Sequence, residues 1–143
     1  MITSWKLIGD QIQAKLDTFV GVGQPLIAAL DAHDTKFEGY PVATWEWEEG
    51  ENEILTTAEN KRTYIATIYV HHEFQQATRS TANRIIAEIL SDLQDAFDGD
   101  QTMSGTCDYT LPGPARWGVY QESAGMVRWG SIKIYFVAST IVA

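Results

Sequence analysis

The sequence predicts a single α+β domain over residues 1–143, in which a largely antiparallel mixed sheet packs against two main helices. Two segments repeat apolar residues at spacings of three and four, which is typical of amphipathic helices. Other segments alternate between apolar and polar residues, or are rich in β-branched and aromatic residues, which favours strands. The order helix, three strands, helix and hairpin implies that most neighbouring strands pair antiparallel.

An apolar stripe that begins beside two capping candidates, Thr3 and Ser4, predicts the first helix. We expect Gly21 and Gly23 to end it, because glycine often terminates helices. Residues 26–30 form a short apolar run and are predicted to be a short buried strand. The stripe consists of Trp5, Ile8, Ile12, Leu16 and Phe19.

Two strands are predicted in the middle of the chain. Residues 42–49 alternate, with Trp45 and Trp47 on the side opposite Glu46 and Glu48, which indicates a half-buried strand. Residues 62–72 are rich in β-branched and aromatic residues and should form a second strand. The connecting residues, 49–61, are expected to be either an extended hairpin arm or a mobile loop.

The second half of the chain predicts a long helix followed by a hairpin. Residues 78–97 place their apolar residues on one face, and Gly99 should end this helix. Residues 100–116 are predicted to be mostly loop, with at most a short strand over 107–111, because glycine and proline recur there. Residues 117–122 and 127–140 should form the hairpin, with Ile132, Ile134 and Phe136 on one face.

Composition and charge argue against several classes of function. The chain has 19 acidic and 10 basic side chains and a formal net charge of −9, which disfavours tight binding to nucleic acid. The same charge suits a surface past which nucleic acid slides without adhering. Cys107 is the only cysteine, so we expect no intrachain disulfide and a reducing compartment. No apolar run is long enough for a membrane span, so a soluble protein is predicted.

Candidate chemical groups are few, and none of them matches a catalytic motif. His71 and His72 are adjacent, so on a strand they point to opposite faces and cannot hold one metal together. His33 lies near Asp31 and Asp34, which resembles a ligand or acid–base cluster but is also typical of a turn. Cys107 has no local pattern that supplies a base. We therefore predict no catalytic, metal or cofactor residues.

Acidic and aromatic residues are the most unusual features of the chain. The run Glu46, Glu48, Glu49, Glu51 and Glu53 could be a solvated face, a partner-facing or lumen-lining arm, or a cation site, although it does not match calcium-binding loops. Tryptophan and tyrosine are common both in cores and at interfaces. Our candidates for a subunit or tube interface are Tyr40, Trp45, Trp47, Arg62, Trp117, Arg128 and Trp129, with core packing as the alternative.

Two segments resemble a known family. Residues 37–46 (FEGYPVATWE) and 60–71 (NKRTYIATIYVH), followed by a long helix and a closing strand pair, are similar to tail terminator proteins of long-tailed bacteriophages, also called tail-completion or minor tail proteins. The resemblance implies a structural virion protein of α+β fold, without enzymatic activity or cofactor. It further implies a homo-oligomeric ring, expected to be a hexamer, at the head-proximal end of the tail tube.

The resemblance also implies the partners of such a ring. It would stop polymerisation of the tail tube protein and offer a docking surface to a head connector or completion protein. DNA would pass through the lumen without specific binding, and residues 46–61 would form a mobile acidic arm. The protein would be found in the host cytoplasm during assembly and in the virion tail afterwards. The alternatives are a head-completion or connector protein of the same particle, or a small α+β ligand-binding domain or enzyme that uses His33 or His71.

Overall fold

A computed structural model of the chain describes residues 3–31, 37–54, 59–122 and 125–141. It confirms the predicted α+β fold: a five-stranded mixed sheet packs against two helices. The sheet order is β1-β2-β3-β5-β4. The first pair is parallel and the other three are antiparallel. Neither helix in the described ranges is long and apolar enough to cross a membrane.

Helix α1 spans Trp5–Asp17 and begins as predicted, since the Ser4 hydroxyl accepts a hydrogen bond from the Leu7 amide at 3.1 Å. Its end is earlier than predicted. The helix stops at Asp17 with Thr18 as its cap, so Phe19 packs against the core from outside the helix. The turn after Asp17 already satisfies the last carbonyls, and the two glycines are not needed to end the helix.

The first strand, β1, spans Ala28–Asp31 and differs from the predicted buried strand over 26–30. It is only partly buried, and it pairs in parallel with four residues of β2, from Val42 to Trp45. Leu26 precedes the strand and lies in the core. Because β1 is so short, it covers only the first part of its neighbour.

Strands β2 (Val42–Ile54) and β3 (Glu59–Phe74) form one long antiparallel hairpin, paired as far as Ile54 and Asn60. Of the two alternatives for residues 49–61, the structure therefore has the hairpin arm, with residues 55–58 outside the described ranges. β3 also pairs along its whole length with β5, out to Glu59 and Ile141. Whether the arm is mobile in solution stays a prediction.

A short 3₁₀ turn leads into helix α2, Arg79–Asp98, which Gly99 caps as predicted. Strand β4 (Tyr109–Glu122) is much longer than predicted and includes Pro112 and Pro114. Both prolines are tolerated because β4 is an edge strand and its pairing shifts between Pro112 and Ala115. Strand β5 spans Gly125–Ile141.

The core lies between the two helices and one face of the sheet. The predicted phase of the last strand is confirmed, because Ile132, Ile134 and Phe136 are buried on the helix side. The apolar stripes of both helices meet this face, including Ile8, Ile12, Leu16, Ile86, Leu90 and Leu93.

Candidate functional site

The sheet has two unlike faces. Gly9 of α1 lies against Trp45 and Trp47, and Gly130 of β5 lies against Ile86 and Leu90 of α2, so both helices pack on the same side. The opposite side, which we call the open face, has no helix of the described ranges upon it. Side chains alternate along a strand, so the open face consists of the residues that point away from these helix contacts.

An aromatic cluster covers one end of the open face. The ring centroids of Tyr69 and Trp129 are 5.7 Å apart, and those of His71 and Tyr120 are 5.9 Å apart. The Trp129 indole lies directly over Gly118 of β4, where a Cβ atom would be 2.4 Å from the ring. Glycine at this position therefore lets the indole lie flat against the neighbouring strand.

Hydrogen bonds fix the imidazole within this cluster. Nε2 of His71 is 3.0 Å from the Thr44 hydroxyl, and its Nδ1 is 3.3 Å from the Tyr120 hydroxyl. Both ring nitrogens thus lie within hydrogen-bond distance of hydroxyl groups, one on the adjoining strand β2 and one on β4, beyond β5. The arrangement orients His71 as part of a polar sheet surface, on the side opposite His72 as predicted.

An ion pair occupies the middle of the open face. Lys133 Nζ is 2.7 Å from a carboxylate oxygen of Glu48, and the Thr67 hydroxyl donates a hydrogen bond to the same carboxylate. The hydrogen bond from Lys133, followed by that from Thr67, holds the pKa of Glu48 below its usual value. The same bond raises the pKa of Lys133. Both groups are therefore stabilised in their charged forms, unlike an activated lysine nucleophile.

A register shift in β2 places the acidic run on one face. The pairing of β2 with β3 shifts between Trp47 and Glu49, so Glu48 is an extra residue in the ladder. Before the shift even-numbered residues point to the open face, and after it odd-numbered residues do so. All five glutamates consequently lie on the open face: Glu46, Glu48, Glu49, Glu51 and Glu53.

The four predicted tryptophans lie in four different environments. Trp45 is only 3% exposed and donates a hydrogen bond from Nε1 to Gln13 at 2.8 Å, so it belongs to the core. Trp47 is half-buried between Trp5 and Phe136. Trp117 lies on the helix side of β4 and is 40% exposed, while Trp129 lies on the open face. These side chains do not form one patch.

The remaining predicted interface residues are equally dispersed. Arg128 lies 5.4 Å above the ring of Trp117 and hydrogen-bonds to Asn83 of α2 at 3.3 Å. Arg62 is half-buried beside Trp5 near the far end of the β2–β3 hairpin. Tyr40 lies at the opposite end of the sheet, edge-on to Phe37 at 5.8 Å. An interface role for these residues stays a prediction.

Two sheet edges were not singled out by the sequence. β1 accompanies β2 only as far as Trp45, so within the described part of the chain no strand lies on the outer side of residues 46–54, the side away from β3. β4 forms the other edge, and it holds exposed apolar residues at Tyr109, Leu111 and Trp117. One edge is therefore acidic and the other is mainly apolar with one arginine, Arg116, on the open face.

The cavities give little support to a catalytic site. One cavity has a volume of about 700 Å³ and lies at one end of the sheet, between Tyr40, His72 and the start of α2. Nδ1 of His72 is buried without a hydrogen-bond partner among the described residues, and burial lowers the pKa of this imidazole. His33 and Asp34, the predicted acid–base candidates, lie outside the described residues, and His71 does not line this cavity.

Two other candidate sites can be placed. Burial raises the pKa of the Cys107 thiol to about 11, which disfavours the thiolate that a nucleophile or a metal ligand requires. Within the described ranges, no three histidine, cysteine, aspartate or glutamate residues are grouped as a metal site would require. The five glutamates thus lie along a strand and do not converge on a point.

Comparison with protein-family models gives no match, and comparison with curated protein sequences gives none either. Comparison with solved structures does give matches. The fold is shared with a virion chain. That chain comes from a structure described as the virion of a native gene transfer agent (GTA) particle, and the alignment has a TM-score of 0.56 and 17% sequence identity.

The likeness extends over nearly the whole of both proteins. It covers 91% of this chain and 90% of the virion chain, so the shared fold spans nearly the full length of both. At 17% identity the likeness establishes the fold alone, and the role of each residue has to be argued from this structure. Here the open face offers charge and hydrogen-bonding groups, and the edges offer unpaired backbone, which are means of binding a partner.

Proposed function

We propose that this protein is a structural virion protein which forms a ring on the head-proximal end of a phage tail tube. The ring stops polymerisation of the tube and presents the surface to which the head is joined. The main support is the fold shared with a virion chain over 91% of this sequence, together with the tail-terminator resemblance of residues 37–46 and 60–71.

The shape of the subunit suits a ring. Head-to-tail rings require two different patches on opposite sides of one subunit. The acidic β2 edge and the apolar β4 edge meet this requirement, since they are separated by two strands, β3 and β5. Copies joined through these edges would all turn the same face of the sheet toward the ring axis.

The charge of the open face suits a lumen. Five glutamates lie in a row on this face, and the chain has a net charge of −9. A lumen lined in this way repels the phosphate backbone, so DNA can pass without adhering. We therefore propose that the open face points inward and that both helices lie on the outside of the ring.

Immunogold labelling of purified particles tests the proposed location. Antibody against this protein should label the head–tail joint in negative-stain electron microscopy, and particles assembled without the protein serve as the control. Label elsewhere on the particle would refute the terminator role while retaining a virion protein. Particles without label would refute both, and would favour a ligand-binding domain built around the cavity beside His72.

A second observation separates a terminator from a head-completion protein. Without a terminator, tubes should grow beyond their normal length, because nothing stops polymerisation. Without a head-completion protein, tails should have normal length but lack heads. Measuring tail lengths in particles made without this protein therefore decides between the two roles.

A further inference from the structure

We propose that neighbouring subunits of the ring join by pairing the β2 edge of one copy with the β4 edge of the next in an antiparallel ladder. The inference rests on the proposed ring and specifies its contact. The occupant of each edge is thus a second copy of this chain.

The lengths of the free segments support this pairing. β1 stops beside Trp45, so among the described residues no strand pairs with the outer side of β2 from Glu46 onward. On the other edge, the irregularity between Pro112 and Ala115 limits regular pairing to the part of β4 that follows it. Within the described part of the chain, residues 46–52 and 115–119 are therefore two segments of similar length with no strand on their outer sides. An edge of this kind is a template for strand addition.

Strand direction follows from the topology. β2 is antiparallel to β3, β3 to β5, and β5 to β4, so β4 runs opposite to β2 within one subunit. When the strands run along the ring axis, rotation about this axis preserves their direction. The β2 strand of the next copy is then antiparallel to β4, and the sheet continues from one subunit into the next.

Charge and shape select one register. Opposed residues of two paired strands point to the same side of the sheet, and Arg116 is exposed on the open face. If the open face continues from one subunit to the next, Arg116 therefore lies opposite Glu49, Glu51 or Glu53. Pairing Arg116 with Glu51 places Trp117 opposite Gly50, which is covered on the helix side by the Trp5 indole. The other two choices place Trp117 opposite Glu48 or Asn52.

Exposed tryptophans meet in the same register. Trp5 lies over Gly50, with its ring 2.5 Å from the position that a Cβ atom would occupy, and it is 43% exposed. Trp117 is 40% exposed on the same side of the sheet. Pairing Gly50 with Trp117 brings the two indoles together, and large aromatic side chains contribute most to interface stability. The register thus combines an opposite-charge pair on one face with an aromatic contact on the other.

The dimensions agree with a ring around DNA. Beyond Trp45 each subunit contributes four strands, β2, β3, β5 and β4, spaced about 4.8 Å apart. Six such copies give a circumference of about 115 Å and a backbone diameter of about 37 Å. A DNA duplex fits within this opening after inward side chains are allowed for.

Disulfide trapping in particles tests the ladder. In the proposed register Asn52 lies opposite Ala115, both are exposed, and opposed residues of an antiparallel pair are close enough for a disulfide. We would assemble particles with a subunit that contains both Asn52→Cys and Ala115→Cys, oxidise them, and separate the proteins without reductant. Each subunit then has both halves of the bond, so a ladder of multimers up to the full ring is expected.

The single variants Asn52→Cys and Ala115→Cys are the matched controls and should stay monomeric. Subunits present in particles but monomeric after oxidation of the double variant would overturn the ladder while leaving the proposed function intact. Disulfide-linked dimers of a single variant would also overturn the ladder, because the same edge of two subunits would then be in contact. Absence of the wild-type protein from particles would instead refute the proposed function.

Charge reversal provides a second measurement. Arg116→Glu places two like charges opposite each other and should reduce the incorporation of the subunit into particles severalfold, and adding Glu51→Arg should restore it. Arg84→Glu, an exposed reversal on α2 away from both edges, should leave incorporation unchanged. Failure of Glu51→Arg to restore the Arg116→Glu variant would overturn the register.

Discussion

Replacing Gly50 with alanine should destabilise the domain only while Trp5 is present. A Cβ atom at position 50 would lie 2.5 Å from Cζ2 and 2.6 Å from Cη2 of the Trp5 indole, so the ring must move. The backbone itself accepts alanine, because Gly50 is not among the residues with positive φ. The effect of the substitution therefore depends on one aromatic side chain.

The magnitude follows from the contacts that the indole would lose. Trp5 lies edge-on to Trp47 at 4.8 Å and to Tyr64 at 4.6 Å. Each contact contributes about 0.5–1.5 kcal/mol, so losing both costs about 2 kcal/mol. Alanine in a strand gains about 0.5–1 kcal/mol over glycine, which leaves a net destabilisation of about 1 kcal/mol. With Trp5→Ala already present, only the gain remains, and the sign is reversed.

Urea unfolding of the wild type, both single variants and the double variant measures this coupling. We expect a coupling free energy of about 2 kcal/mol between positions 5 and 50. A control double-mutant cycle that combines Gly50→Ala with Leu7→Ala should give no coupling free energy, since Leu7 is an exposed residue of the same helix. A Gly50→Ala effect that is equal with and without Trp5 would show that the indole does not lie against Gly50 in solution.

Three further predictions concern the open face and the core. Glu48→Gln should destabilise the protein at neutral pH, because the lowered pKa of Glu48 means that its charged carboxylate stabilises the folded state. The difference in unfolding free energy from wild type should shrink as the pH falls below 4.5, the usual pKa of glutamate, and the carboxylate is protonated. An equal difference at neutral pH and at a pH below 4.5 would contradict this. The Cys107 thiol, buried and with its pKa raised to about 11, should react slowly with a thiol reagent at pH 8 in the native protein and rapidly in denaturant. Glu46→Lys together with Glu49→Lys should slow DNA ejection from particles without lowering subunit stability, and unchanged ejection would count against an inward-facing open face.

The sequence predicted the elements that are defined by apolar periodicity. The stripe from Trp5 to Leu16 lies in α1, and the alternation of Ile132, Ile134 and Phe136 gives the correct buried face of β5. These patterns depend on burial against a single core, which is the strongest signal that a sequence contains. The fold class could be inferred from them because every element has one apolar side.

The position of the acidic run could not be predicted in the same way. Beyond Glu49, the residues that alternate with the glutamates on β2 are Gly50 and Asn52, neither of which marks a buried face. The only signal of the register shift is the adjacent pair Glu48 and Glu49, where the spacing of the acidic residues changes from even to odd. The sequence does not give the β3 partner of each β2 residue, so this change of spacing cannot be interpreted as a register shift from the sequence alone.

The length of strand β4, of which residues 117–122 were predicted, was underestimated for a different physical reason. Pro112 and Pro114 lack amide donors, so local sequence favours a loop there. The strand exists because β5 pairs with it on one side, and the prolines are accommodated by the register shift that precedes Ala115. Likewise, the free edge of β2 follows from the shortness of β1, and neither edge is visible in residue composition. The surfaces that we propose for assembly thus depend on long-range pairing.

In the proposed ring, contact between the two edges would favour association, while the negative charge of each copy would oppose it. Each copy has a net charge of −9, so bringing copies together adds electrostatic repulsion, which salt screens over about 8 Å at physiological ionic strength. The proposed Arg116–Glu51 pair would be weakened by the same salt, and an exposed ion pair contributes little in any case. In the proposed ring, association would therefore be driven mainly by burial of Trp5 and Trp117 and by the new backbone ladder, while charge would select the register. It follows that moderate salt should strengthen ring formation, and that removing either tryptophan should weaken the ring more than removing the ion pair does.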